Sequence, residues 1–194
     1  TRVYRNGKLV DEMRTPFGIR AIRFDAAKGF FLNDQPYFIK GVCLHHDLGA
    51  LGAAYNSEAA KRQLRLLKEM GCNAIRVSHN PPAADFLDLC DRMGFLVMDE
   101  AFDTWTKKKN KFDYHIDFNE WHQADLEAMV LRDRNHPSVF MWSIGNELRN
   151  QFDSSGTIIA KELVDIVKNL DPSRPVTCAL TETNPEKNFI YQSI

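Results

Sequence analysis

The sequence predicts an α/β fold of parallel strands joined by helical crossovers. Three observations carry that class: a strand-like run followed by a helix-like run recurs four times, several strand-like runs are continuously apolar, and polar groups follow their C-terminal ends. Continuous apolarity marks a strand buried on both faces, and the repetition implies parallel pairing. Two architectures satisfy this, a doubly wound sheet and a (β/α)8 barrel. Both place ligands at strand C-termini, so the polar ends leave the choice open. No G-x-G-x-x-G or G-x-x-x-x-G-K-[ST] turn follows any strand, so nucleotide binding lacks its usual signature.

Taken in order, residues 1–27 alternate short β-like pieces around Asn6-Gly7, a hairpin signal, and read as part of an all-β domain. Residues 29–39 read as two strands about an Asn33-Asp34 turn. Residues 38–44 form the first buried strand. A helix follows with Ser57 as N-cap, Ala60, Leu64 and Leu67 on one face and Gly71 at its end. Residues 73–78 are the next strand, then Pro81-Pro82 open a helix with Phe86, Leu89, Cys90 and Met93 at helical spacing, ended by Gly94. Residues 95–98 are the third strand. A long loop containing Lys107-Lys108-Lys109 and Lys111 leads to a helix whose Trp121, Ala124, Ala128 and Leu131 share a face. Residues 138–144 are the fourth strand. Ile159, Leu163, Ile166 and Leu170 mark the fourth helix, and residues 175–180 the fifth strand.

The chain has 194 residues, 44% hydrophobic and 26% charged, which places it among globular proteins. Lys+Arg 25 against Asp+Glu 26 leave a formal charge of -1, so no basic field exists to hold nucleic acid or a membrane surface. No apolar run approaches the roughly 20 residues that cross a bilayer. The N-terminus has neither Met nor a charged-then-apolar leader, so the chain reads as a piece of a longer protein and does not locate its parent. A complete (β/α)8 barrel needs about 250 residues, more than are present. Cys43, Cys72, Cys90 and Cys178 are widely spaced in apolar stretches and read as buried free thiols.

Candidate chemistry lies at the strand ends: His45-His46-Asp47, Ser78-His79-Asn80, Asp99-Glu100 and Asn146-Glu147. Glu147 follows a buried strand. A carboxyl in partly apolar surroundings keeps its proton and can donate it near neutral pH, while the plainer reading pairs Glu147 with Arg149. Asn146 offers an amide to a sugar hydroxyl, or serves the turn. Neighbours on a strand point to opposite faces, so one of Asp99 and Glu100 reaches the site and the other pairs with a base such as Arg76 or Lys40. Arg76, in a strand of small apolar residues, needs a buried partner and is suited to orienting carboxylates. The six histidines form no H-E-x-x-H or H-x-x-x-H, so no metal is assigned. The lysine run reads as a solvated loop. Trp142 lies too far back along its strand to stack on a sugar, and Trp105 is the better candidate.

Together, residues 41–47, 68–81, 90–101 and 132–147 resemble the catalytic domain of glycoside hydrolase family 2, which contains β-galactosidases, β-glucuronidases and β-mannosidases. The resemblance spans about Phe17 to Leu180. It implies that residues 28–194 are the N-terminal half of a (β/α)8 TIM barrel, about four βα units plus a fifth strand, and that residues 1–27 end a preceding β-sandwich domain. It makes Glu147 the general acid/base and Asn146 the ligand of the sugar 2-hydroxyl. His45, His79 and Asp99 become sugar-contacting or site-shaping residues, and Arg76 the family's buried arginine. The family retains anomeric configuration through a nucleophilic carboxylate about 5–5.5 Å from the acid. That residue belongs to a seventh strand, so the isolated piece is expected to be inactive and to cover its open edges, against the rest of the parent chain or in a homo-oligomer. Large bacterial members carry Asn-Arg-His-Glu after the first strand and magnesium ligands after the third. Here those places read Cys43-Leu44-His45-His46 and Phe102-Asp103-Thr104-Trp105-Thr106, so no cofactor is expected. The Asp103-Thr104-Trp105 loop resembles a bacterial galactosidase branch that degrades plant or host glycans. The expected substrate is a carbohydrate, a terminal β-D-galactoside, with a β-glucuronide or β-mannoside of the same family as the alternative.

Overall fold

The computed structural model describes residues 1–191 and 193–194. Strands β1 (Arg2–Arg5) and β2 (Lys8–Glu12) form an antiparallel hairpin. Its turn places Asn6 and Gly7 at φ 52° and 75°, the left-handed pair that a two-residue hairpin requires. Strands β3 (Ile22–Asp25), β4 (Gly29–Leu32) and β5 (Gln35–Pro36) make a second antiparallel sheet, with the expected Asn33-Asp34 turn between the last two. β3 pairs with β4 across residues 26–28, where the sequence places a domain boundary. Residues 18–21 are not strand. There Arg20 donates Nε to Pro137 O at 2.5 Å and Nη2 to Val139 O, tying the segment to the base of the barrel.

The βα units follow: β6 (Gly41–His45), α1 (Ser57–Glu69), β7 (Ala74–Ser78), α2 (Ala84–Met93), β8 (Leu96–Glu100), α3 (Phe118–Asp133), β9 (Val139–Asn146), α4 (Ser154–Leu170) and β10 (Val176–Ala179). The five strands are parallel and ordered β10-β9-β8-β7-β6. Each new strand is added on the same side of the last, and consecutive helices pack beside one another. A doubly wound sheet would reverse its strand order. The order therefore selects the partial TIM barrel.

Helix signals hold with small shifts. Asn56, not Ser57, caps α1 by accepting from Ala59 N–H at 3.0 Å, and Gly94 ends α2 in the left-handed conformation. The face expected of α3 is corrected: Trp121 and Leu131 are exposed, and Phe118, Leu126, Met129 and Val130 are buried. Apolar residues fall on opposite sides of this helix, so spacing alone selects no side. Cys72 and Cys90 are buried free thiols, whereas Cys43 is exposed on β6.

The main core lies between sheet and helices, built from residues such as Ile75, Val97, Trp142, Ile144, Leu126 and Leu163. A smaller cluster of Phe30, Ala74, Leu96 and Phe140, with Ile22 and Tyr37 against it, closes the other face near the strand starts. The strand C-termini are left to the polar residues.

Candidate active site

Strand parity decides which side chains reach the face away from the helices. On β7, Ile75 and Val77 join the helix-side core, which turns Arg76 to the opposite face. On β8, Val97 and Asp99 face the helices and Glu100 faces Arg76. Glu100 has no exposure, and its Oε2 accepts from Arg76 Nε at 2.7 Å and Ser143 Oγ at 2.6 Å. Its Oε1 meets Arg76 Nη2 at 2.7 Å and His79 Nδ1 at 2.8 Å. Burial pushes the Arg76 guanidinium down, but the hydrogen bonds and charge of Glu100 outweigh it and hold the pKa above its ordinary value.

Arg76 Nη2 also donates to Asn146 Oδ1 at 2.9 Å, and Asn146 Nδ2 donates to Asp103 Oδ1 at 3.0 Å. These two bonds fix the amide orientation at the end of β9 and leave one N–H of Nδ2 uncommitted among the described residues. Burial raises the Asp103 pKa, yet Lys109 and Asn146 together bring it below the ordinary value. His45, ending β6, meets the His79 ring edge to face at 5.2 Å between centroids.

Glu147 follows Asn146 with φ 44°, a left-handed conformation that costs a non-glycine residue on the order of 1–3 kcal/mol. Its backbone N–H donates to Ala179 O at 2.7 Å. Its side chain is exposed and, among the described residues, has neither a hydrogen bond nor an ion pair, so the pairing with Arg149 is absent. The outcome is a carboxyl held out over the strand ends by a tightly bound backbone.

The structure thus gathers Arg76, His79 and Asn146 in one bonded cluster, with His45 beside it and Glu147 next along the chain. It does not gather Asp99 or Trp105. Asp99 shares the parity of Val97, has no exposure, and among the described residues neither of its oxygens meets a hydrogen-bond donor. Burial and the adjacent Asp133 carboxylate push its pKa well above the carboxylate range. The carboxylate of the pair that reaches the site is Glu100. Trp105 is likewise wholly buried, packing near Phe118 and donating Nε1 to Ile144 O at 2.8 Å, so it offers no face to a sugar.

The solvated-loop reading of the lysines fails at Lys109. Its Nζ, on a side chain 18% exposed, donates to Asp103 Oδ1 at 2.7 Å and Asn146 O at 2.8 Å. Glu100 could have been found from the need of Arg76 for a buried partner of matching parity. Ser143 is opposite Glu100 in the β8–β9 register, but nothing in the lysine run distinguishes Lys109.

The donor set after β8 does not fit the magnesium site of some resembling enzymes. The Asp103 Oδ1 that a cation would use already accepts from an ammonium and an amide. Among the described residues, the one cluster of three potential metal-binding side chains is Asp88, Asp91 and His136, at the strand starts beside Ser138. There Asp91 accepts from His136 Nδ1 at 2.7 Å and Ser138 N–H at 2.9 Å.

Fold and site define a class: a barrel domain whose polar residues converge at strand C-termini, with an exposed carboxyl after the fourth barrel strand. The chain belongs to glycosyl hydrolase family 2; the family's description, "Glycosyl hydrolases family 2, TIM barrel domain", matches residues 24–194. It is 50% identical to "Beta-galactosidase BoGH2A" of Bacteroides ovatus over 100% of this chain and 26% of that protein. It is 34% identical to the beta-glucuronidase of Homo sapiens over 88% of this chain and 26% of that protein. The crystal structure of a glycosyl hydrolase family 2 member from Bacteroides cellulosilyticus superposes with a TM-score of 0.95 at 44% identity, covering 99% of this chain and 25% of that one. The chain therefore spans about a quarter of the length of these relatives.

Proposed function

We propose that the parent protein is a retaining β-glycosidase that removes terminal, non-reducing β-D-galactosyl residues, with Glu147 as its general acid/base. The observation that carries this reading is the Asn146-Glu147 pair. Asn146 is locked by Arg76 and Asp103, and Glu147 stands exposed and unpaired among the described residues. Such a carboxyl can reach a glycosidic oxygen and protonate it as the bond breaks. The uncommitted Asn146 N–H suits the oxygen of a sugar hydroxyl and would hold the ring in place beside Glu147.

Glu100 is not the nucleophile in this reading. It is buried and its oxygens accept from Arg76, His79 and Ser143, so it acts as the anion that orients the cluster. The nucleophile is assigned to the remainder of the parent barrel. The galactoside preference is supported by the similarity to the Bacteroides ovatus β-galactosidase. The similarity to human β-glucuronidase favours a second reading, a glucuronide substrate.

In the full-length parent, Glu147→Gln is expected to lower kcat on a galactoside with a poor leaving group by at least about 100-fold. Glycosylation by an activated aryl galactoside, whose leaving group needs no proton, should fall far less. Unchanged kinetics on both would overturn the acid/base assignment. A higher kcat/KM for p-nitrophenyl glucuronide than for p-nitrophenyl galactoside would overturn the galactoside preference and leave the acid/base role standing.

A further inference from the structure

The carbonyl of Asn146 and the N–H of Glu147 belong to one peptide group, and both are held. Lys109 Nζ donates to the carbonyl at 2.8 Å, and the N–H donates to Ala179 O at 2.7 Å. The same ammonium binds Asp103 Oδ1 at 2.7 Å, and that oxygen accepts from the Asn146 amide at 3.0 Å. Lys109, Asp103 and Asn146 therefore form a closed ring that grips Asn146 by both main chain and side chain. The loop carrying Lys109 is itself fastened: Asp113 Oδ2 accepts from Lys109 N–H at 2.7 Å and from Asn110 N–H at 2.5 Å. An anion and a carbonyl oxygen facing one point are the donor set of a cation, and here the cation is covalently attached.

We infer that Lys109 is a positioning residue whose ammonium, in place of a divalent metal, fixes the Asn146–Glu147 peptide and thereby aims the Glu147 carboxyl. The inference rests on the acid/base reading of Glu147. Left-handed backbone at Glu147 has little intrinsic preference to persist, so it depends on contacts at both ends of this peptide. Lys108, the exposed neighbour of Lys109, has no place in the ring and serves as control.

The test uses the full-length parent and two galactosides, one with a poor leaving group and one activated aryl compound. Misplacing a proton donor by about 1 Å can cost on the order of 100-fold. Lys109→Met is therefore expected to lower kcat on the poor leaving group by about 10- to 100-fold and on the activated substrate by a much smaller factor, with KM little changed. Lys109→Arg should recover most of the loss, and Lys108→Met should be unaffected. A merely structural role would lower both substrates by one factor through loss of folded enzyme. Equal losses, or none, overturn the inference. Should Lys109→Met fail to fold, Asp103→Asn reads the same ratio between substrates. Chelation of the wild type by EDTA should change neither activity nor Tm. Stoichiometric magnesium that stabilises the wild type and is lost in Asp103→Asn overturns the assignment of the cation. Impaired Glu147→Gln with unimpaired Lys109→Met sinks Lys109 alone, while unchanged Glu147→Gln sinks both readings.

Discussion

Arg76 and Glu100 meet through both arms of the guanidinium fork, Nε on Oε2 and Nη2 on Oε1, each at 2.7 Å. The carboxylate has no exposure, so its partners lie within the fold and Arg76 makes two of its bonds. The pair also governs Asn146, because Arg76 Nη2 reaches both Glu100 and the Asn146 amide. Replacing Arg76 by Met leaves a buried carboxylate supported, among the described residues, by His79 and Ser143 alone. Removing one partner of a buried pair typically costs about 3–5 kcal/mol. Arg76→Met is therefore expected to lower the urea midpoint of the barrel domain by a large margin, and Arg76→Lys to recover only part, since an ammonium cannot reproduce the fork. Wild-type unfolding of the Met variant would show that the Arg76–Glu100 pair does not support the fold.

Asp99 gives the fold a pH dependence. Burial, followed by the neighbouring Asp133 carboxylate, raises its folded pKa well above the ordinary value, against a smaller lowering by Arg132. The folded chain therefore binds this proton more tightly than the unfolded chain. As pH rises above the unfolded value of about 3.9, that difference counts against folding. Asp99→Asn keeps the shape without the titration. The variant should gain stability over the wild type progressively as the pH rises above about 4, read as the gap between urea midpoints at each pH. A gap that stays constant or narrows would place the charged form of Asp99 in the folded state.

Much of the fold was legible because its signals are local. The Asn6-Gly7 turn, the Gly94 stop and the apolar runs of β7, β8 and β9 each report on a few neighbouring residues. The placement of Asn146-Glu147 at the end of β9 was legible from the buried strand before it. The errors came where direction depends on the third dimension. Parity shows that Asp99 and Glu100 diverge, but the choice between them needs the facing strand, where Ser143 and Arg76 sit on the side of Glu100. Lys109 reads as one of four similar lysines, and its role exists only once the loop returns to Asp103 and Asn146. A loop position suggests exposure for Trp105, whereas this loop folds its indole into the core beside Phe118.

That burial gives Trp105 a distinct expectation. Its Nε1 is the donor to Ile144 O inside the core, so Trp105→Phe leaves a buried carbonyl short of a partner and a gap where the larger ring was. An unsatisfied buried group costs about 1–3 kcal/mol, before any loss of packing. Thermal unfolding should therefore fall in the variant while KM for an aryl galactoside changes little. A large rise in KM with unaltered Tm would instead place the indole against the sugar.

Gly145 links this core to the candidate site. A Cβ at this position would lie 2.6 Å from Leu148 Cδ1, 3.1 Å from Trp105 Nε1 and 3.2 Å from Cys178 Sγ. Leu148 and Trp105 have no exposure, so neither has solvent to retreat into. The extra methyl must displace the strand or force the core to repack, at about 1–3 kcal/mol for a well-packed interior. Because the next residue is Asn146, strand displacement moves the amide away from Arg76 and Asp103 and shifts the peptide held by Lys109. Gly145→Ala in the parent is thus expected to lower kcat on a poorly activated galactoside by about tenfold or more, although residue 145 adds no functional group to the site. A variant that loses stability but keeps the wild-type ratio of rates on poor and good leaving groups would show that the core absorbs the methyl without passing the displacement to Glu147.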